Sequence, residues 1–218
     1  MASPGGQKQP GQSSHDVQDE PRKLQKGMVL LKEFLSQADQ SHLAEEVRRL
    51  GQEVRGGFYD CHNEKTKKMR MMNLGRRTDG GRHPQEVPPW MLQLAVRTCQ
   101  EARAADPSIP LLRPDMCVVN HYGESSCLGW HQDLVSRRDR GLPVVSLSLG
   151  HCALFEYKSS WRRAAVVKHV RLDSGDALVF GGRSRGIIHS VRKVSPLGEP
   201  LPWPMPEGGR YNLNFREL

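Results

Sequence analysis

The chain has 218 residues, of which 37% are hydrophobic, and carries a formal net charge of +8. This composition suffices for one domain with a single core, the charge favours a polyanionic partner such as nucleic acid, and no apolar run approaches the ~18 residues of a membrane span. Five cysteines without a C-x-x-C pair argue against a disulfide framework and a thiolate zinc site, so we expect a reducing compartment, the nucleus or the cytoplasm.

The N-terminal segment is rich in Gly, Pro, Gln and Ser and nearly lacks bulky apolar side chains. Such a segment buries too little surface to offset the entropy cost of ordering it, so we predict a disordered tail over residues 1–27. It also lacks the apolar stretch of a secretory signal. Residues 28–218 are expected to form the domain.

Two helices are predicted in the first half of the chain. After a first strand at residues 28–31, apolar residues at helical spacing predict a helix from about Ser41 to Gly51. The polar and basic composition of residues 61–88 predicts a long loop. A second helix is predicted over residues 89–104, because a proline in the first turn precedes an apolar face.

After Asp106 the pattern changes to short β-branched or alternating segments that Gly and Asp-Ser-Gly turns separate. The predicted strands are Met116–His121, Pro143–Leu149, Ala153–Tyr157, Ala165–Leu172, Asp176–Phe180, Ile187–Arg192 and Arg210–Arg216. Two helices followed by about seven strands predict an α+β fold, with the N-terminal helices packed on a sandwich or barrel.

The last predicted strand alternates strictly between two kinds of side chain. Tyr211, Leu213 and Phe215 point one way, while two arginines and two asparagines point the other way. A half-solvated edge strand would account for this pattern, and so would a buried anion site. Along an extended strand Arg210 and Arg216 lie about 20 Å apart, and two inward-leaning guanidinium groups leave a gap that suits a small dicarboxylate.

The motif His131-Gln-Asp133 places two metal-binding side chains on one face of an extended chain. Chance alone gives about one H-x-[DE] in a chain with 9 His and 24 acidic residues, and we interpret His62-Asn-Glu64 as such a match. His189 lies on the apolar face of a predicted strand, where it is either a core histidine or a third ligand. The two arginines of the last strand favour the ligand interpretation.

Two histidines and one carboxylate on one side of an ion leave three positions open, which is the arrangement of non-haem Fe(II) oxygenases. A dicarboxylate held by the two arginines would chelate Fe(II) through one end and leave one position for O2. The combination predicts a 2-oxoglutarate-dependent oxygenase with a double-stranded β-helix (jelly-roll) core.

Several motifs, in this order, resemble the AlkB-like Fe(II)/2-oxoglutarate dioxygenases over about residues 28–218. They are Asn120-His-Tyr122, Leu128-Gly-Trp-His-Gln-Asp133, Pro143-Val-Val-Ser-Leu-Ser-Leu-Gly150, Ser174-Gly-Asp-Ala-Leu-Val-Phe-Gly-Gly-Arg-Ser-Arg185, His189 and Arg210-Tyr-Asn-Leu-Asn-Phe-Arg216. The resemblance implies that His131, Asp133 and His189 bind iron. It implies that Arg210 pairs with the distal carboxylate of 2-oxoglutarate and Arg216 with the chelating carboxylate. The residues implied to hydrogen-bond the cosubstrate are Asn120, Tyr122 and Asn212.

The chemistry implied by the resemblance is oxidative demethylation of N-alkylated nucleobases in DNA or RNA. O2 and 2-oxoglutarate are consumed, succinate and CO2 are formed, and a hydroxylated N-alkyl carbon is released as an aldehyde. A single-stranded substrate or a flipped base is expected, because iron inside a barrel cannot reach a stacked base. We expect a monomer. The same chemistry on a protein or small molecule, and a nucleic-acid-binding module without turnover, are the alternatives.

Two features of the sequence bear on the substrate. Val135 stands where many AlkB-type repair enzymes have an Asp that contacts the exocyclic amine of the target base. The family's nucleotide-recognition lid is predicted at residues 58–88, where Phe58, Tyr59 and the nearby Trp90 are the nearest counterparts of its base-clamping aromatics.

Two basic clusters accompany these motifs. Their members are Lys65, Lys67, Lys68, Arg70, Arg76 and Arg77 in the predicted lid, and Arg137, Arg138 and Arg140 after Asp133. Solvated loops can have this composition, but beside the predicted site the clusters are expected to contact nucleic-acid phosphates. Such contacts position a strand without selecting a base.

Overall fold

The computed structural model describes residues 20–61, 66–133, 141–196, 205 and 208–218, and all side chains within these ranges except those of residues 67, 68, 124 and 125. The described residues form two α-helices and eleven strands, besides a single turn of 3-10 helix at Gly182–Ser184. In chain order these are β1 (Arg22–Gln25), β2 (Met28–Leu31), α1 (Gln37–Gly51), β3 (Tyr59–Cys61), β4 (Thr66–Gly75), α2 (Pro89–Ala105), β5 (Met116–His131), β6 (Val144–Gly150), β7 (Cys152–Lys158), β8 (Lys168–Leu172), β9 (Ala177–Phe180), β10 (Ile188–Ser195) and β11 (Arg210–Arg216).

The strands pair in the order β1-β2-β9-β6-β11-β5-β10-β7-β8, while β4 adds to β5 and β3 adds to β4. The long strand β5 carries the sheet from one layer to the other. Its residues 116–122 pair with β11, whereas His131 and Leu128 pair with β10 across an irregularity in register. Each layer therefore faces the other across a common interior, as in a double-stranded β-helix.

Two apolar clusters hold the layers together. The first lies between the helices and the sheet, and β11 contributes Tyr211, Leu213 and Phe215 to it. The second fills the interior between the two layers and includes Phe155 and Phe180. Each fully buried side chain of this size contributes about 1.5–3 kcal/mol. A one-residue slip of β11 would bring its polar residues against the helices, so the apolar face fixes which side chains enter the interior.

The ends of the helices follow local chemistry. α1 begins at Gln37, four residues before the predicted Ser41, because the Ser36 hydroxyl accepts a hydrogen bond from the Asp39 amide at 3.1 Å and caps the first turn. It ends at Gly51, as predicted. The second helix is confirmed to within one residue, at Pro89–Ala105.

Three expectations are wrong in part. Arg22–Gln25 forms β1 and pairs with β2, so the predicted disorder of residues 1–27 does not hold there, while residues 1–19 lie outside the described chain. β4 occupies much of the predicted 61–88 loop, because Met72 and Leu74 give it a buried face although cations lie on both sides of them in the sequence. The edge-strand explanation of the last strand is also wrong, since β11 lies between β5 and β6.

The first predicted strand after Asp106 proves much longer than the segment Met116–His121. β5 continues to His131 because its second half has a partner of its own in β10. Among the described residues no disulfide is present, and neither described helix has the length and apolar character needed to cross a bilayer.

Candidate active site

The three predicted metal ligands meet where β5 and β10 lie side by side. His131 is the last residue of β5, Asp133 follows two residues later, and His189 is the cross-strand partner of His131. One ligand atom from each residue lies within 4.8 Å of the other two. The Nε2 atoms of His131 and His189 are 3.8 Å and 4.0 Å from Asp133 Oδ1. Antiparallel pairing thus assembles a group that is dispersed in sequence.

Both histidines present the same ring nitrogen to this group. His131 Nδ1 lies 2.9 Å from the Gly129 carbonyl and His189 Nδ1 lies 3.4 Å from the Ile187 carbonyl. A carbonyl only accepts, so each Nδ1 carries the proton and each Nε2 keeps its lone pair for a metal. Burial also lowers the pKa of His189 to about 4, which keeps the ring neutral near pH 7.

Asp133 is ionised although it is buried. Burial by itself would raise the pKa of this carboxyl, but opposing electrostatic interactions, the largest of them with the Arg216 guanidinium, lower it overall. Arg216 donates a hydrogen bond from Nη2 to Asp133 Oδ1 at 2.8 Å. The carboxylate oxygen that faces both histidines is therefore also the one that Arg216 holds.

Arg210 lies at the other end of the same strand and is only 1% exposed. Its Nη2 donates to the Ser148 hydroxyl at 2.7 Å and its Nη1 to the His151 carbonyl at 3.0 Å. Within the described part of the chain, no carboxylate forms an ion pair with it and its Nε has no hydrogen-bond partner. A buried cation without a counter-charge is costly, so this guanidinium fits a site for an anion.

Polar side chains connect the two arginines along the interior face of β11. Asn214 donates to Asn212 at 2.9 Å, and Asn212 donates to the Ser146 hydroxyl at 2.7 Å. Ser146, Ser148 and Asn214 were not among the predicted site residues. Their signal was present, because the serines alternate with apolar residues on β6 in register with the asparagines of β11.

Asn120 and Tyr122 line the same cavity from β5. Among the described residues, the Asn120 amide oxygen, the Tyr122 hydroxyl and the Arg216 Nε lack a well-formed hydrogen-bond partner although they are buried. Burial raises the pKa of Tyr122, so its hydroxyl remains protonated. Orphaned donors and acceptors beside an uncompensated guanidinium fit a small polar anion.

The cavity itself measures about 40 Å³. Both arginines of β11 line this cavity, Arg210 at one end and Arg216 at the other. A larger groove of about 610 Å³ lies between β1 and β8, but none of the predicted metal or cosubstrate residues lines it.

The predicted nucleic-acid residues are more dispersed. Arg70 Nη2 lies 2.7 Å from His121 Nδ1, Arg76 pairs with Asp115 at 3.3 Å, and Arg77 pairs with Asp79 at 2.6 Å. The side chains of Lys67 and Lys68 and the whole of Lys65, Val135, Arg137, Arg138 and Arg140 lie outside the described structure, as do His62 and Glu64. The structure therefore leaves the two basic clusters as predictions.

The aromatic residues expected near the base do not face the cavity. The Phe58 ring stacks on Tyr211 at 5.9 Å between centroids, and the Trp90 ring stacks on His42 at 4.3 Å. Tyr59 accepts a hydrogen bond from Asn73. The Phe58 and Trp90 rings therefore pack against other rings, whereas Tyr59 is 46% exposed on β3.

The sequence and the fold of this chain are similar to those of known oxygenases. A sequence model of the 2OG-Fe(II) oxygenase superfamily matches residues 27–216. The solved structure of OsALKBH1 superposes with a TM-score of 0.78 at 33% identity, over 90% of this chain and 100% of that one. The chain belongs to the AlkB-like 2OG-Fe(II) oxygenases. The predicted jelly-roll core is thereby confirmed.

Two curated AlkB-like relatives show the extent of the similarity. The DNA N(6)-methyladenine demethylase ALKBH1D of Arabidopsis thaliana is 33% identical over 93% of this chain and 52% of its own length. The alpha-ketoglutarate-dependent dioxygenase AlkB of Escherichia coli (strain K12) is 35% identical over 62% of this chain and 60% of its own length. The chain thus spans about half to three-fifths of these relatives.

AlkB-like oxygenases use Fe(II), 2-oxoglutarate and O2, and the residues of this chain fit that set. The His131, Asp133 and His189 ligand atoms converge with both Nε2 atoms available. Two imidazoles and one carboxylate on a single side are a donor set that suits Fe(II) with open positions. The uncompensated Arg210 supplies a binding partner for a carboxylate at the far end of the cavity.

Proposed function

We propose that this protein is an Fe(II)/2-oxoglutarate-dependent dioxygenase that oxidatively demethylates N-alkylated nucleobases in DNA or RNA. The observation that carries the proposal is the pairing of a buried Arg210 without a counter-charge and a His-Asp-His group at opposite ends of one polar strand face. A dicarboxylate that spans the two ends would neutralise Arg210 and reach the metal.

Each end of the cavity has its own task in this proposal. His131, Asp133 and His189 hold Fe(II), which when bound supplies the activation of O2 that organic side chains cannot provide. Arg210 binds the distal carboxylate of 2-oxoglutarate with a charge-assisted hydrogen bond. Arg216 shares its guanidinium between Asp133, which it already contacts at 2.8 Å, and the carboxylate at the metal end.

The neutral polar residues complete the cosubstrate site. Tyr122 donates its hydroxyl proton, because its raised pKa keeps it protonated. Asn120 and Asn212 add hydrogen bonds along the diacid. The surrounding apolar side chains, Phe155 and Phe180 among them, keep water from the reacting atoms and so favour a productive oxidation.

A nucleic-acid substrate is supported by the net charge of +8 and by the activities that the relatives' names state. The three metal ligands His131, Asp133 and His189 (the metal group) lie in the barrel interior, so a base must be single-stranded or flipped to reach them. We expect the protein to act as a monomer in the nucleus or the cytoplasm. Because its cations would contact phosphates, the affinity of the protein for oligonucleotides should fall steeply as the salt concentration rises.

The test is succinate formation from 2-oxoglutarate with Fe(II) and ascorbate, in the presence of oligonucleotides that carry a panel of N-methylated bases. Mass spectrometry of the products identifies which base loses its methyl group. We expect stoichiometric succinate and demethylated base with the wild type and neither with His131→Ala. If succinate formation is coupled to oxidation of a peptide or small molecule and not of nucleic acid, the substrate is not a nucleobase. If the wild type binds oligonucleotides but forms no succinate, the protein is a nucleic-acid-binding module and not an enzyme.

A further inference from the structure

The end of the barrel that carries the metal group also carries an unusual outer surface. The β7–β8 loop, residues 159–167, holds three of the six large apolar side chains that are exposed in the described part of the chain, namely Trp161, Val166 and Val167. Trp161 is 58% exposed. Three exposed apolar side chains within one short loop are more than scattered surface residues, and grouped apolar surface of this kind marks interaction sites.

The register of the strands places this loop beside the metal group. Lys158, the last residue of β7, pairs with Ile188, the neighbour of His189. Trp130 directly precedes His131 at the end of β5. The ends of β5 and β7 and the start of β10 therefore share one rim, and the β7–β8 loop extends from it.

A lysine joins two tryptophans at this rim. Lys158 Nζ lies 4.5 Å from the centroid of the Trp130 ring and 5.8 Å from that of Trp161. Both distances are within the range of a cation–π interaction. Among the described residues Lys158 has no ion pair, so its charge is not consumed by a carboxylate.

The charge of the loop selects the class of ligand. From Lys158 to Lys168 the chain carries four cations and no acid, with Arg162 and Arg163 exposed next to Trp161. Interleaved cations and exposed aromatic faces are the pattern of surfaces that bind single-stranded nucleic acid, because cations attract phosphates while bases stack on the rings. An apolar protein partner would not explain four cations that form no ion pair with any residue the structure describes.

We propose that Trp161 is a stacking site for a base next to the one being demethylated, and that Lys158, held between Trp130 and Trp161, faces the adjacent phosphate. This inference rests on the proposed function and adds a recognition element to it. The sequence offered Phe58, Tyr59 and Trp90 as candidate clamps, but Phe58 and Trp90 stack on other rings, and Tyr59 lies on β3, whose partner β4 pairs there with Asn120 and not with the His131 end of β5. Trp161 is the exposed aromatic ring that remains at the metal end of the described chain.

Binding of a labelled, methylated single-stranded oligonucleotide tests the site, with full-length protein, Fe(II) and 2-oxoglutarate under anaerobic conditions. We expect Trp161→Ala to weaken binding by about fivefold or more and Trp161→Phe to retain most of the affinity, since stacking is worth ~1–3 kcal/mol per base. Leu111→Ala removes an equally exposed side chain at a remote loop and should leave affinity unchanged.

Abasic substitutions separate stacking from a general effect on the loop. One flanking nucleotide at a time is replaced by an abasic unit. At the position whose base stacks on Trp161, the abasic unit should weaken binding by the wild type. The same abasic unit should not weaken binding by Trp161→Ala beyond the loss that the substitution itself causes. Lys158→Met should lower the slope of log affinity against log salt by about 0.7, the value of one phosphate contact on a single strand.

The outcomes distinguish this inference from the proposed function. If the wild type neither binds nor demethylates nucleic acid, the proposed function fails and Trp161 loses its role with it. If the wild type works but Trp161→Ala binds within twofold of it, or if no abasic position shows the coupling, only the stacking site is overturned. Unchanged stabilisation of Trp161→Ala by 2-oxoglutarate in a thermal melt excludes a folding defect.

Discussion

The interior face of β11 and the β3–β4 ribbon with its following turn (residues 59–61 and 66–82) are both rich in cations, but they use them in opposite ways. In the interior, Arg210 is 1% exposed and has no carboxylate partner in the described chain. In the ribbon, the Arg77 side chain is 49% exposed and pairs with Asp79 at 2.6 Å. A site is marked by a buried charge that lacks a partner, and not by the number of charges in a segment.

The contrast is broken most strongly by removing the interior charge. Arg210→Met should raise the KM for 2-oxoglutarate by about 30-fold or more, because losing one partner of a buried charge pair costs about 2–5 kcal/mol. The fold should survive, since an apolar side chain of similar length replaces a buried cation without a counter-charge. Steady-state kinetics and urea unfolding measure the two effects.

Arg77→Met is the matched control, because it makes the same chemical change in the ribbon. Neither the KM nor the urea midpoint should change, as exposed ion pairs contribute little. A KM for Arg210→Met within threefold of the wild type would contradict the assignment of Arg210 to the distal carboxylate.

The same contrast explains how much the sequence could predict. The alternation of β11 sufficed to separate Tyr211 and Leu213 from Arg210 and Arg216, because strand geometry makes period two unambiguous. That the polar face is interior could not be inferred from β11 alone. It depends on β5 and β6, which flank β11, and on helices that cover its apolar face.

Other features depended on partners that are far away in sequence. β4 escaped prediction because its buried residues are methionines and leucine among cations, which resemble a solvated loop until β5 pairs with them. The contribution of Ser146 and Ser148 appears only once β6 lies in register with β11. Trp161 carried no periodic signal, and its exposure together with its contact to Lys158 distinguishes it only in the folded chain.

Buried and exposed carboxylates allow a second comparison, with a smaller expected effect. Asp106 is 2% exposed and accepts hydrogen bonds from the Gly27 amide at 2.7 Å and from the Ser108 hydroxyl at 2.8 Å. Burial alone would raise the pKa of this carboxyl, but these donors and Lys23 lower it well below the usual range. Asp106→Asn should reduce the free energy of unfolding by about 1–3 kcal/mol at pH 7.

The pH dependence follows from the direction of that shift. A lowered folded-state pKa stabilises the protein above the unfolded-state pKa near 4, and this contribution is lost as the pH falls. The difference in urea midpoint between wild type and Asp106→Asn should therefore narrow below about pH 4. Asp79→Asn, in the exposed turn of the ribbon, should leave the urea midpoint unchanged both at pH 7 and below about pH 4. A constant difference across the acid range would contradict the ionic role of Asp106.

The smallest effect is expected in the ribbon itself, on nucleic-acid binding. Arg76 and Arg77 already pair with Asp115 and Asp79, so their charges are largely compensated before any phosphate arrives. Arg77→Gln should change the slope of log affinity against log salt by less than about 0.7, the value of one phosphate contact on a single strand. Lys158→Met, near the metal ligands, should lower this slope by the full value of about 0.7. If Arg77→Gln instead produced the larger change, the strand would follow the ribbon, because exchanging Asp79 for a phosphate costs little at an exposed pair.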